Sequence, residues 1–200
     1  MDAKTQKAEL TRAAILGAAM ELAGREGLES ITLQAVADSI GLSKSGVFSR
    51  VGSRETLQKA VIDEWGRSFL DDVFVPAMQQ PKGLPRLDAI VQRWIARTRD
   101  VETRTGCIFS AGAFELDDRE GPLRDHLHGA VVRWRAALRR TVLQALEAGH
   151  LRAGTDAEQL VSEIYALILG LIHDARFLRE ARAAERAQAT WQRLLSTYRA

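Results

Sequence analysis

The sequence predicts an all-α fold, and three observations predict it. Apolar residues recur at helical spacing along most of the 200 residues, while no segment keeps the two-residue alternation of a strand for more than a few positions. Glycine and proline punctuate the chain into about nine helical segments. Hydrophobic residues make up 46% of the chain and charged residues 27%, enough to bury a core.

Residues 1 to about 7 form a polar lead-in that is expected to fray. The first helix is expected over about 5–25, with Ile15, Ala18, Ala19 and Leu22 on one face and Gly27 ending it. Thr32 is an N-cap for a short second helix in which Leu33, Val36, Ala37 and Ile40 share a face. Gly41 supplies a tight turn, because only glycine enters the left-handed region without a Cβ penalty. Leu42 closes the apolar corner, and Ser43 caps a third helix over about 44–50.

Helix, glycine turn, helix is the helix-turn-helix pattern, whose second helix lies in the DNA major groove. From Gly41 to Arg54 the charged residues are Lys44, Arg50 and Arg54, all positive. Phosphate contacts supply most of the affinity for DNA, so a stretch without acids suits that role. The small side chains at Ser43, Ser45, Gly46 and Ser49 let a helix approach base edges closely. An αα-corner with a solvated polar face has the same turn chemistry, and the pattern alone leaves both readings open.

Ser53 caps a fourth helix carrying Leu57, Val61, Trp65, Phe69 and Val73 at four-residue spacing. At 3.6 residues per turn this stripe winds roughly 160° around the helix. Its start therefore faces one neighbour and its end another, which suits a mechanical link between two parts of the molecule; a long core helix is the plainer alternative. Pro76, Pro81, Gly83 and Pro85 mark a loop. A fifth helix over about 86–103 turns Leu87, Ile90, Val91, Trp94 and Ile95 inward, and a short buried sixth covers about 106–116. A turn at 117–121 leads into a seventh helix over about 122–148, with Pro122 in its first turn and Leu123, Leu127, Val131, Trp134, Leu138, Val142 and Ala145 buried.

Thr155 or Asp156 caps an eighth helix running to about 179, and a ninth covers about 183–198. The eighth is apolar almost all round from Ile164 to Ile172, so it needs cover on both sides. The same helix of a second copy, packed with the ninth across a two-fold axis, supplies that cover. The interface residues expected are Tyr165, Ile168, Leu171, Ile172, Trp191, Leu194 and Leu195. A central helix within one chain is the alternative.

The net charge of +2 says little about partners, and residues 1–54 carry seven basic against six acidic side chains. DNA binding is expected from the local placement of charge, not from the total. Cys107 is the only cysteine, which excludes an intrachain disulfide and a multi-cysteine zinc site. The N-terminus lacks an apolar signal core, and the longest charge-free apolar run, 164–172, is too short to span a membrane. A cytoplasmic location is expected. The stretch Gly41-Leu-Ser-Lys-Ser-Gly46 lacks the Gly-Lys-Ser/Thr ending of a P-loop and the Gly-x-Ser-x-Gly of a nucleophile elbow. His126 and His128 stand two apart and point away from each other on a helix, and Asp117-Asp118 read as a solvated turn. Neither a metal nor a cofactor is expected. Nothing positions a nucleophile beside a base, so no enzymatic activity is expected either.

Residues 12–57 resemble the N-terminal domain of TetR-family transcriptional regulators. The matching residues are Arg12, Ile15-Leu16, Ala18-Ala19, Glu21-Leu22, Gly27, Ile31-Thr32, Ala35-Val36-Ala37, Gly41-Leu42-Ser43-Lys44, Val47-Phe48, Arg54-Glu55 and Leu57. Three positions depart from the family pattern. Phe48 replaces a tyrosine whose hydroxyl touches a phosphate, Val51 replaces a phenylalanine, and Arg54 replaces a lysine while keeping its charge. The resemblance implies a DNA-binding domain over 1–54 and a helical effector-binding and dimerisation domain over 55–200. It implies a homodimer on a double-stranded operator, most simply a repressor released by a small-molecule effector. The residues expected at the duplex are Thr32, Ser43, Lys44, Ser45, Gly46, Val47, Phe48, Ser49, Arg50 and Arg54. Those expected around the effector are Trp65, Phe69, Trp94, Phe109, Phe114, Trp134, Tyr165 and His173. Trp94, Tyr165 and His173 stand out there, since each has a polar atom that needs a partner if buried. The competing reading is a helical small-molecule-binding protein or enzyme without DNA affinity. A regulator that acts through a protein partner is a third.

Overall fold

The computed structural model describes residues 3–200; residues 1 and 2 of the expected polar lead-in lie outside the described residues. Among the described residues there are nine helices longer than one turn and no strand. They are α1 (Ala3–Glu26), α2 (Leu33–Ser39), α3 (Lys44–Val51), α4 (Arg54–Phe69), α5 (Leu84–Arg97), α6 (Ile108–Glu115), α7 (Pro122–Glu147), α8 (Ala157–Ile172) and α9 (Ala183–Tyr198). The order and extents follow the sequence reading closely because each boundary has a local cause. Thr32 Oγ1 accepts from the Ala35 amide at 3.0 Å and Ser43 Oγ from Gly46 at 3.1 Å. Gly41 turns the chain at φ +66°. Of the two candidate caps for α8, Asp156 serves, taking the amides of Glu158 and Gln159. Each such cap is worth about 1 kcal/mol.

The chain forms two compact units, one of residues 1–67 with 105–129, the other of residues 68–104 with 130–200. In the first, Ile15, Ile31, Val36, Ala37, Val47 and Val61 are fully buried where α1 to α4 meet. In the second, Leu87, Ile90, Val91 and Ile95 of α5 pack with Leu138, Leu160, Ile164 and Trp191. The five residues of the α4 stripe are all buried, and its neighbours change along its length. Trp65 stacks on Phe109 at 4.5 Å in the first unit, while Phe69 meets Trp94 and Trp134 at 5.3 and 4.8 Å in the second.

One feature departs from the expected regular helices. Three of them loosen into π-helical turns, at Leu70–Phe74, Thr98–Glu102 and His173–Phe177. All three belong to the second unit, and one charged network ties them together. Arg97, only 6% exposed, donates through Nε to Glu102 and through Nη1 to Asp72 and to the carbonyl and hydroxyl of Ser68. Thr98 Oγ1 donates to Glu102 Oε2 at 3.0 Å, and Arg176 donates to the Glu102 carbonyl at 3.3 Å. Glu102 is fully buried, and loss of water pushes its carboxyl above the ordinary range against the pull of Arg97. A π turn re-aims side chains that a regular helix would place elsewhere, which is how Asp72, Glu102 and Arg176 reach one network.

Candidate nucleic-acid interface and aromatic cluster

The candidate DNA-facing surface is built on α3. Its first turn carries no acid, its last carries Arg50, and Ser43, Lys44, Ser45, Phe48, Ser49 and Arg50 are all exposed. Two hydrogen bonds stiffen the exposed edge, Ser43 Oγ to Ser45 Oγ at 3.1 Å and Ser49 Oγ to the Gly46 carbonyl at 2.9 Å. Gly46 needs to stay small, since a Cβ there would stand 3.1 Å from Ser43 Oγ and crowd the cap. Phe48 leaves a 58% exposed ring on this surface.

Three of the residues expected at the duplex make contacts within the chain. Val47 is fully buried and anchors α3 to the core of its unit, so it cannot reach a base edge without unpacking. Thr32 is exposed but its hydroxyl is engaged in capping α2. Arg54 sends Nε to the Ile31 carbonyl at 2.8 Å and Nη2 to the Glu29 carbonyl at 2.5 Å. Its guanidinium thus braces the segment before α2. Sequence reasoning missed the other residues that grip this segment. Gln58, buried on α4, donates to the Leu28 carbonyl at 2.9 Å, and Glu115 at the end of α6 accepts from the amides of Leu28 and Glu29 at 2.8 and 2.7 Å. No spacing pattern signals a contact between residues 86 or more apart.

Of the eight aromatic and polar residues expected around an effector, three belong to the first unit and five to the second. Trp65 and Phe109 pair in the first unit, and Phe114 is 68% exposed there. Phe69, Trp94, Trp134 and Tyr165 come together in the second, joined by Phe74, with ring centroids 4.8–5.8 Å apart in edge-to-face contact. His173 is exposed and stacks on Phe177 at 5.3 Å. Arginines flank the cluster, with Arg97 5.7 Å from the centre of the Phe69 ring and Arg135 4.5 Å from that of Tyr165. The indole nitrogens of Trp94 and Trp134 are buried without a hydrogen-bond acceptor. Burying such a donor unpaired is costly, so these two N–H groups stand out.

Comparison with known proteins shows the family. Residues 15–61 match the family model described as bacterial regulatory proteins, tetR family, and residues 83–191 match the one described as tetracyclin repressor-like, C-terminal domain. The chain belongs to the TetR family. It is therefore a DNA-binding transcriptional regulator that responds to a ligand, as the regulators of this family are. These proteins bind operator DNA and small molecules, dimerise, and are typically not enzymes. The fold agrees. A TetR regulator from Chloroflexus aurantiacus superposes with a TM-score of 0.83 at 23% identity, over 98% of this chain and 100% of that one. A structure described as the molecular basis for control of antibiotic production by bacterial hormones gives 0.73 at 26% identity, over 95% and 98%. AibR, solved with isovaleryl coenzyme A and operator DNA, gives 0.67 at 19% identity, over 80% and 85%. A search of curated proteins returned no match. Among the described residues, no helix is long and apolar enough to cross a membrane.

Proposed function

We propose that this TetR-family chain is a homodimeric repressor that reads its operator with α3 and leaves it when a small molecule binds the aromatic cluster. The functional division we propose is 1–54 for DNA and 55–200 for effector and dimerisation. The observation that carries the reading is the exposed, acid-free edge of α3, with Lys44 and Arg50 for phosphates and Ser45 and Ser49 for base edges. Phe48 offers apolar contact in place of the family's hydroxyl, and a thymine methyl is its natural partner.

The effector site we propose is Phe69, Phe74, Trp94, Trp134 and Tyr165. The buried indole donors without acceptors call for a ligand with apolar rings or chains and carbonyl or ether oxygens, which would relieve their desolvation. Compounds of that class are expected to change the tryptophan fluorescence of the dimer and to release it from DNA. Trp94→Phe and Trp134→Phe would weaken release without changing affinity for DNA in the absence of ligand. Unaltered release by both variants would remove the cluster from the effector site.

For the dimer we propose the face of α8 that its own chain leaves open. Ile168, Leu171, Trp191 and Leu195, expected at the interface, are buried within the single chain, and Trp191 Nε1 donates to Asp88 at 2.7 Å. Ser162, Ala166, Gly170, His173 and Phe177 form the exposed stripe instead. The small side chains of Ser162, Ala166 and Gly170 permit close helix approach, with Leu169 beside them. Selection from a randomised duplex pool tests the whole reading. Two half-sites related by a two-fold axis are expected in the selected sequences, and enrichment of no sequence would refute it.

A further inference from the structure

The turn Leu28–Ser30, which joins α1 to α2, lacks a cap from its own sequence. The residue at its N-cap is Gly27, which has no side chain to accept the first amides. Glu115 of α6 does that work, holding the Leu28 and Glu29 amides with both carboxylate oxygens at 2.8 and 2.7 Å. Such charge-assisted bonds are roughly twice as strong as neutral ones. Gly27 and Glu115 are made for each other. A Cβ at Gly27 would lie 2.8 and 2.9 Å from the two carboxylate oxygens, and φ there is +91°. The chain has thus given up a serine or aspartate cap, the cheap local solution, for one delivered from another helix.

Two more close approaches join the same segments. A Cβ at Gly24 of α1 would stand 1.8 Å from the Thr105 carbonyl oxygen, and one at Gly112 of α6 would stand 2.7 Å from Leu28 Cδ1. Arg119, just past α6, pairs with Glu29 at 3.0 Å. The other side of the turn is held from α4 by Arg54 and Gln58. The turn is therefore gripped by α6 through its amides and by α4 through its carbonyls. The turn thus bears load from α6 on one side and α4 on the other. Along the chain, α6 begins six residues after Glu102, which ends the π turn of the Arg97 network.

We infer that Glu115 is a positioning residue for operator recognition, a latch through which α6 sets the pose of the helix-turn-helix. It touches no DNA and acts through the Leu28–Ser30 turn. The inference rests on the operator-binding reading, and its test separates the two. Wild-type chain, Glu115→Gln and Glu115→Ala are titrated against an operator selected by the wild type and against versions with one or two base pairs added or removed between half-sites. Thermal unfolding is followed alongside. The wild type is expected to lose affinity steeply off its preferred spacing. Glu115→Ala is expected to bind the preferred operator about tenfold more weakly and to discriminate spacings less, with Glu115→Gln in between. If only the melting temperature falls while the spacing preference stays, Glu115 merely stabilises the fold and the inference is overturned. Unchanged binding by both variants overturns it equally. If Glu115→Ala does not fold, the Gln variant decides. A wild type that selects no duplex would refute the operator reading itself.

Discussion

Glycine at position 24 and glycine at position 17 lie on the same helix and have opposite meanings. A methyl group at Gly24 would run into the Thr105 carbonyl, whereas one at Gly17 would meet nothing within 4 Å. Gly17→Ala is therefore expected to stabilise the chain by about 1 kcal/mol through helix propensity. Gly24→Ala should destabilise it by at least about 1–3 kcal/mol through forced displacement of backbone. Chemical denaturation of the two variants checks the pair. Glu102 offers a second residue-scale test. Burial raises its carboxyl in the folded state above 4.5, so the folded chain holds that proton more tightly than the unfolded one. The contribution to stability is thus full below about pH 4.5 and is lost as pH rises through the folded value. The stability of wild type relative to Glu102→Gln should fall over that interval, measured by denaturation at a series of pH values. A rise would show that the ion pair with Arg97 outweighs burial.

At the scale of the element, the proposed dimer rests on α8. Its inner face is spent on Ile164, Ile168 and Leu171, and its outer face on Ser162, Ala166 and Gly170. A Cβ at Gly170 would meet nothing within 4 Å in the single chain. Gly170→Glu or Ala166→Glu is therefore expected to leave the monomer folded and abolish the dimer, read by light scattering and circular dichroism. A dimer that survives both charges would move the interface elsewhere. The helices themselves were legible because Gly41, Thr32, Ser43, Gly149 and Pro122 act locally. Which side of α8 and α9 faces outward was not, because the period of an apolar stripe does not say what covers it. Trp191 shows the limit well. Its indole N–H needs a partner, and the one it has is Asp88 on α5, 103 residues away in sequence. The three π turns were hidden for a related reason: their charged residues Asp72, Glu102 and Arg176 bond to segments 25 to 74 residues away or to Arg97, which no local pattern signals.

Across the whole molecule, the sequence indicates local features such as the α3 edge far better than contacts between distant segments. Lys44, Ser45, Ser49 and Arg50 follow from a cap, a turn and a charge pattern within a dozen residues. Glu115, Gln58, Arg97 and Glu102 make contacts between distant segments, and Arg54, expected at a phosphate, holds backbone carbonyls as well. Operator binding, as proposed, depends on the exposed edge of α3. Its most direct test is the salt dependence of operator binding for the wild type, Lys44→Ala and Arg50→Ala. Affinity should fall steeply and linearly on logarithmic axes for the wild type. Each substitution should weaken binding across sequences and reduce the slope by about 2, as loss of one phosphate contact from each subunit of the dimer requires. A flat dependence, or variants indistinguishable from the wild type, would contradict it.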